Sequence, residues 1–126
     1  MARKIKGGEV PAYQARNDGY NLTDIEIGWL AGIYEGEGTV YIGKGGRMEL
    51  KIDMCDEDVV ESIQGLFPCP QGIRTSLPKN PNWSTKYRWR LNRRHDIVSF
   101  LELILPLLHG RRSEKARLVI SVISRA

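Results

Sequence analysis

Two carboxylates, Glu35 and Glu37, stand two residues apart, with Gly36 between them and Gly38 after them. They close a stretch, Leu22 to Thr39, in which Gly28, Gly32 and Gly36 recur every four residues. On a helix that spacing is one stripe. Each helical Gly costs roughly 1 kcal/mol against Ala, so three in register need a reason, and close approach of a second helix supplies it. A helix that packs tightly on a partner and delivers an acid at its end is a site as well as a core element. A second constellation lies downstream. Lys86, Arg88 and Arg90 alternate with Tyr87, Trp89 and Leu91, which on a strand puts three cations on one face and three large apolar groups on the other. A solvated edge strand does not require three cations and no acids, so this face is read as a contact for DNA backbone or bases.

The element that must carry the acids begins at Thr23. Glu26 follows at capping-box spacing, and Leu22 and Ile27 occupy the staple positions. After Gly38 the chain reads as a strand, Thr39 to Lys44, then a tight turn suited to a hairpin at Gly45-Gly46. The return strand, Arg47 to Met54, alternates completely: Met48, Leu50, Ile52 and Met54 against Arg47, Glu49, Lys51 and Asp53. One face must be buried and the other wet, as in an antiparallel sheet. Asp56 is expected to cap a helix reaching Phe67, with the acids Asp56, Glu57 and Asp58 serving its N-terminal dipole rather than a metal. A second hairpin is expected from Gly72 to Leu77 and Ser84 to Asn92. A helix follows from Asp96 to Leu105, then a basic connection His109-Gly110-Arg111-Arg112, then a last helix from Ser113 to Ser124. His95 is expected at the surface, and His109 lies where it can touch phosphate. Residues 1–21 lack periodicity and hold Arg3, Lys4, Lys6 and Arg16, so they are expected to form a flexible basic arm before a domain at 22–126.

At 126 residues the chain holds one core and no internal repeat of the helix–sheet unit. A motif helix that needs a twin is therefore expected to find it on a second chain, as a symmetric homodimer. Residues 1–84 carry 9 basic and 12 acidic side chains, and residues 85–126 carry 10 and 3. That basic block suits nucleic acid or an anionic membrane. No apolar run approaches the ~18 residues of a spanning helix, and the first residues have no apolar core of a secretory signal. The expectation is an intracellular protein with no membrane partner. Cys55 and Cys69 are then free thiols, and without a His cluster they make no zinc site.

The stretch Leu30 to Gly38, LAGIYEGEG, resembles the motif of the LAGLIDADG homing endonucleases. Leu30, Ala31, Gly32 and Gly38 match directly, and Glu35 and Glu37 stand for the two acids. The order α-β-β-α-β-β-α-α read from Thr23 onward is also that of a LAGLIDADG half. The resemblance implies an α+β fold whose four-stranded antiparallel sheet forms a saddle, with dimerisation through the motif helix at Gly28, Trp29, Gly32, Ile33 and Gly36. It implies that Glu37, with the Gly36 carbonyl, holds the catalytic metal, Mg²⁺ or alternatively Mn²⁺, and that Glu35 closes the helix end. Where the family places a Lys near the last helix, this chain has Arg111 or Arg112. Either keeps the charge but does not readily act as a base. The family's polar residue at the end of the second strand falls near Asp53. The expected reading face comprises Tyr41, Arg47, Glu49, Lys51, Asp53, Arg74, Ser76, Lys86, Arg88 and Arg90. Its mixed signs suit base readout, with Arg and Lys favouring guanine and the acids accepting from cytosine.

The implied function is a homodimeric, metal-dependent endonuclease that cuts double-stranded DNA at a long pseudo-palindromic site. The alternative is a non-cleaving DNA-binding regulator or an RNA maturase on the same fold. Retained Glu35 and Glu37 favour the first, and Arg in place of Lys favours the second. An unrelated α+β interaction module is a third reading.

Overall fold

The computed structural model describes residues 20–125. Helix α1 (Asp24–Glu37) begins with the capping box: Glu26 N–H donates to Thr23 Oγ1 at 3.1 Å, and Thr23 N–H donates to Glu26 Oε1 at 2.9 Å. Strand β1 (Gly38–Ile42) follows without an intervening loop. A short 3-10 turn (Lys44–Gly46) reverses the chain, with Gly45 and Gly46 at φ +71° and +80°, where a side chain would be strained. Then come β2 (Met48–Met54), α2 (Glu57–Leu66), β3 (Arg74–Ser76), β4 (Lys86–Leu91), α3 (Arg94–Ile104), a second 3-10 turn (Leu105–Leu107) and α4 (Gly110–Arg125). The order matches that expected from the sequence, and the strands make one antiparallel sheet, β1-β2-β4-β3.

The alternation of β2 and β4 decides the layering. Leu50, Ile52, Trp89 and Leu91 are buried under the helices, while the intervening charged residues face outward. An aromatic cluster anchors the core: Phe100 lies 5.0 Å from Trp89 and 5.1 Å from Phe67 between ring centroids, with Tyr34 of α1 at 5.9 Å. The Trp89 indole N–H donates to the Phe67 carbonyl at 2.9 Å, so the one polar atom of this buried ring is satisfied. Among the described residues, no helix is long and apolar enough to cross a membrane.

The strands of the second hairpin are shorter than expected, Arg74–Ser76 and Lys86–Leu91, and three helix starts differ in detail. Asp56 precedes α2, but its side chain makes no capping hydrogen bond. Helix α3 starts at Arg94, because Ile97 N–H already donates to the Arg93 carbonyl at 3.0 Å, so Asp96 sits inside the first turn. Helix α4 starts at Gly110, so Arg111 and Arg112 are helical rather than part of a connection. Residues 1–19 of the expected basic arm lie outside the described residues. Tyr20, assigned to that arm, stacks on Phe67 at 4.4 Å.

Candidate nuclease site and nucleic-acid interface

The site is built where α1 ends, β1 begins and α4 starts. Gly38, the last residue of the motif, is extended (φ −84°, ψ 153°), so the chain turns directly from helix to strand. A Cβ at Gly38 would collide with the buried Tyr34 ring. Glu37 sits at this corner, exposed, and its carboxylate makes no hydrogen bond or ion pair among the described residues. Glu35 is engaged. It accepts from the His109 backbone N–H at 2.8 Å and lies 3.0 Å from His109 Nδ1. The His109 side chain and backbone donors hold the Glu35 carboxyl below the usual carboxylate range, so it is ionised at neutral pH. The two acids are thus unequal: Glu35 ties α1 to the start of α4, and Glu37 is uncommitted among the described residues.

The two arginines are also unequal. Arg112 is half-buried; its Nη1 donates to the carbonyls of Tyr34, at 2.8 Å, and of Gly38. Its guanidinium lies 5.8 Å from the centroid of the Tyr34 ring. Burial pushes the Tyr34 phenol up to about 12, with Arg112 partly opposing the shift. Arg111 is exposed. It lines a cleft of about 500 Å³ with Thr39, His109 and Lys115. Lys115 was not anticipated; it lies one helical turn after Arg111, a relation evident only once α4 is known to start at Gly110.

The residues expected to read DNA share one sheet face. Across β1 and β2, Tyr41 pairs with Glu49 and Thr39 with Lys51. Across β2 and β4, Lys51 pairs with Arg90 and Asp53 with Arg88; across β3 and β4, Arg74 pairs with Arg88 and Ser76 with Lys86. Arg47 precedes this face at the outer end of β2. Thr39 was missed, although its alternation with Val40 marks it as outward. Both acids of the face are paired. Asp53 accepts from Arg88 at 2.7 and 3.0 Å and lies 3.8 Å from Lys51, and Glu49 accepts from Arg90 at 3.2 Å. These contacts keep the Arg88 guanidinium firmly charged, chiefly through the Asp53 hydrogen bond. The face therefore carries six cations against two acids. Asp53 lies on it beside Arg88, one strand away from the Gly38 corner.

The expected helix–helix stripe faces open space. Gly28, Gly32 and Gly36 are exposed, and a Cβ at any of them would meet nothing within 4 Å. Ile25 and Trp29 on the same helix are 84% and 36% exposed, and Ile33 is half-buried. Packing among the described residues therefore gives no reason for these glycines.

A family model described as "LAGLIDADG-like domain" matches residues 24–105. Among solved structures, the homing endonuclease I-CvuI in complex with its target in the presence of 2 mM Ca superposes with a TM-score of 0.56 at 19% identity, covering 79% of this chain and 66% of that one. I-CvuI bound to the I-CreI target with Mg, its DNA not cleaved, gives 0.53 at 17% identity, with the same coverage of 79% and 66%. The homing endonuclease I-TnaI gives 0.56 at 17% identity, covering 77% and 70%. This chain thus spans 66% of the length of the I-CvuI chains it matches. A search among curated proteins finds no match. The family match over the motif helix, the sheet and α3, together with the shared fold, makes this chain a member of the LAGLIDADG-like family.

Proposed function

We propose that this protein is a homodimeric, divalent-metal-dependent endonuclease that cuts double-stranded DNA at a long pseudo-palindromic site. One observation carries the reading: a carboxylate without a partner among the described residues, Glu37, ends a helix whose glycine stripe meets none of those residues, at the corner from which a cation-rich sheet face opens. I-CvuI, bound to its DNA target, shares this fold. The described residues contain no group of three or more His, Cys, Asp or Glu that could hold a metal ion. A single chain offers Glu37 and the Gly36 carbonyl, and a two-fold axis along the glycine stripe brings a second such set beside it. Hard oxygen donors of this kind fit Mg²⁺ or Mn²⁺. When bound, the metal supplies Lewis acidity and an activated water for phosphodiester hydrolysis. The protein's own residues do the rest. The sheets of both subunits form a saddle over the major groove, Arg111 and Lys115 balance charge at the phosphates beside the cleft, and Glu35 holds α4 against the acid-bearing corner.

Selection from a randomised plasmid library with Mg²⁺ tests the activity; recovery of cut sites with two-fold-related halves is expected. A protein that binds a defined site but never cuts it with Mg²⁺ or Mn²⁺ is the regulator or maturase instead, a reading favoured by Arg, at 111 or 112, in place of the family's Lys.

The dimer has its own test. A Cβ at Gly32 meets nothing within 4 Å among the described residues, and Gly32→Leu, a better helix former, should raise helix stability by up to about 1 kcal/mol. It should nevertheless separate the subunits, because the added side chain holds the helices apart. Sedimentation at micromolar concentration is expected to give a dimer for the parent and a monomer for the variant. A monomeric parent, or a variant that stays dimeric, rejects the interface.

A further inference from the structure

The end of α1 is electrostatically adverse. Its last turn holds Glu35 and Glu37 and no basic residue, although a helix C-terminus favours cations. Helix α4 meets this deficit. Arg112 places its charge at this end and donates to Tyr34 O on the helix side and Gly38 O on the strand side. Glu37 lies between these two anchor points. The remaining contacts leave the corner little slack: Gly38 N–H donates to Tyr34 O, Gly38 pairs with Ile52 across the sheet, and the Tyr34 ring fills the space under Gly38.

We propose that Arg112 is a positioning residue, whose guanidinium spans the helix–strand corner and fixes the direction in which Glu37 is presented, while Arg111 and Lys115 face the phosphate. The proposal rests on the reading of Glu37 as the metal-holding acid. The two Nη1 hydrogens of Arg112 suffice for the two carbonyls while the planar guanidinium lies over the Tyr34 ring; a lysine ammonium keeps donors and charge but not that planar contact. Arg112, with its Nη1 committed to two carbonyls, is not the family lysine in another form.

The test uses Arg112→Gln and Arg112→Lys in the full chain. Both should lower the single-turnover cleavage rate in saturating Mg²⁺ by about a hundredfold, the scale expected for a misplaced catalytic group. DNA affinity in Ca²⁺ should stay within about threefold, well under the ~1.4 kcal/mol of a tenfold change. Two readouts do not depend on cleavage. Amide exchange at Gly38 should quicken by about tenfold or more while α3 amides stay unchanged, as for local opening. The Mn²⁺ concentration that broadens the Gly36–Gly38 amide signals should rise by about tenfold, the scale of a lost supporting contact. If Arg112→Gln does not fold, Arg112→Lys, which keeps the charge and most of the stem, decides. Parental cleavage and parental Gly38 exchange in the Lys variant overturn the proposal. A parent that shows no Mn²⁺ broadening at Gly36–Gly38 rejects the metal reading of Glu37, whereas loss of Gly38 protection in the variants would still show the clamp.

Discussion

Glu37→Gln should fold, dimerise and bind its site, and should lose cleavage by at least several hundredfold. The substitution keeps the shape and most hydrogen-bonding capacity of the side chain and removes the charge that a metal needs. Losing that ligand should cost several kcal/mol of transition-state stabilisation, and each ~1.4 kcal/mol is a factor of ten in rate. Folding should be spared because the carboxylate has no partner among the described residues. Removing an anion from a helix C-terminus should even stabilise α1 by a few tenths of a kcal/mol, by the order of magnitude of dipole effects. A variant that is as stable as its parent and inactive is the signature of a functional acid. Glu35→Gln should behave differently. It weakens the tether to His109 and should act through the seating of α4 and the dimer. Single-turnover cleavage in Mg²⁺ and affinity in Ca²⁺ separate the cases. A Glu37→Gln protein that folds, dimerises and cuts at the parental rate would falsify the assignment.

What the sequence disclosed depended on how local the signal was. The capping box at Thr23 involves residues three apart, and it forms as read. The inward and outward sets of β2 and β4 follow from alternation alone. Two helix starts were misplaced for one reason. Asp96 and Ser113 are good N-cap types, but each helix closes its first turn earlier, with Ile97 N–H bonded to Arg93 O and Ser113 N–H bonded to His109 O. Misplacing α4 merged Arg111 and Arg112 into one candidate and hid Lys115. The Arg112 clamp left no sequence signal, since its acceptors are backbone carbonyls 78 and 74 residues upstream. The Arg88–Asp53 pair was hidden for another reason. Alternation puts both on one face, but their contact requires β2 beside β4, an adjacency between two hairpins rather than within one.

That adjacency sharpens the expected outcome for the reading face. Replacing Lys86, Arg88 and Arg90 together by Ala should weaken specific DNA binding on the order of a thousandfold or more, since each good base contact contributes roughly 1–3 kcal/mol. The fold should tolerate the change. The three side chains project from the outward face of β4, while Trp89 and Leu91, which hold the core, are untouched. The loss should exceed that of three isolated cations. Arg88 neutralises Asp53 and Arg90 neutralises Glu49, so removing them turns two masked acids into bare charges facing the phosphates. Adding Asp53→Asn and Glu49→Gln to the triple variant should therefore recover part of the affinity without restoring sequence preference. The salt dependence should flatten as well, by up to about 0.9 in the slope of log affinity against log salt for each lost phosphate contact. Affinities measured across a salt series in Ca²⁺ provide the check. An unchanged slope would place DNA elsewhere on the molecule. Full recovery of preference in the five-fold variant would assign readout to Arg47, Arg74 and Tyr41 instead of β4.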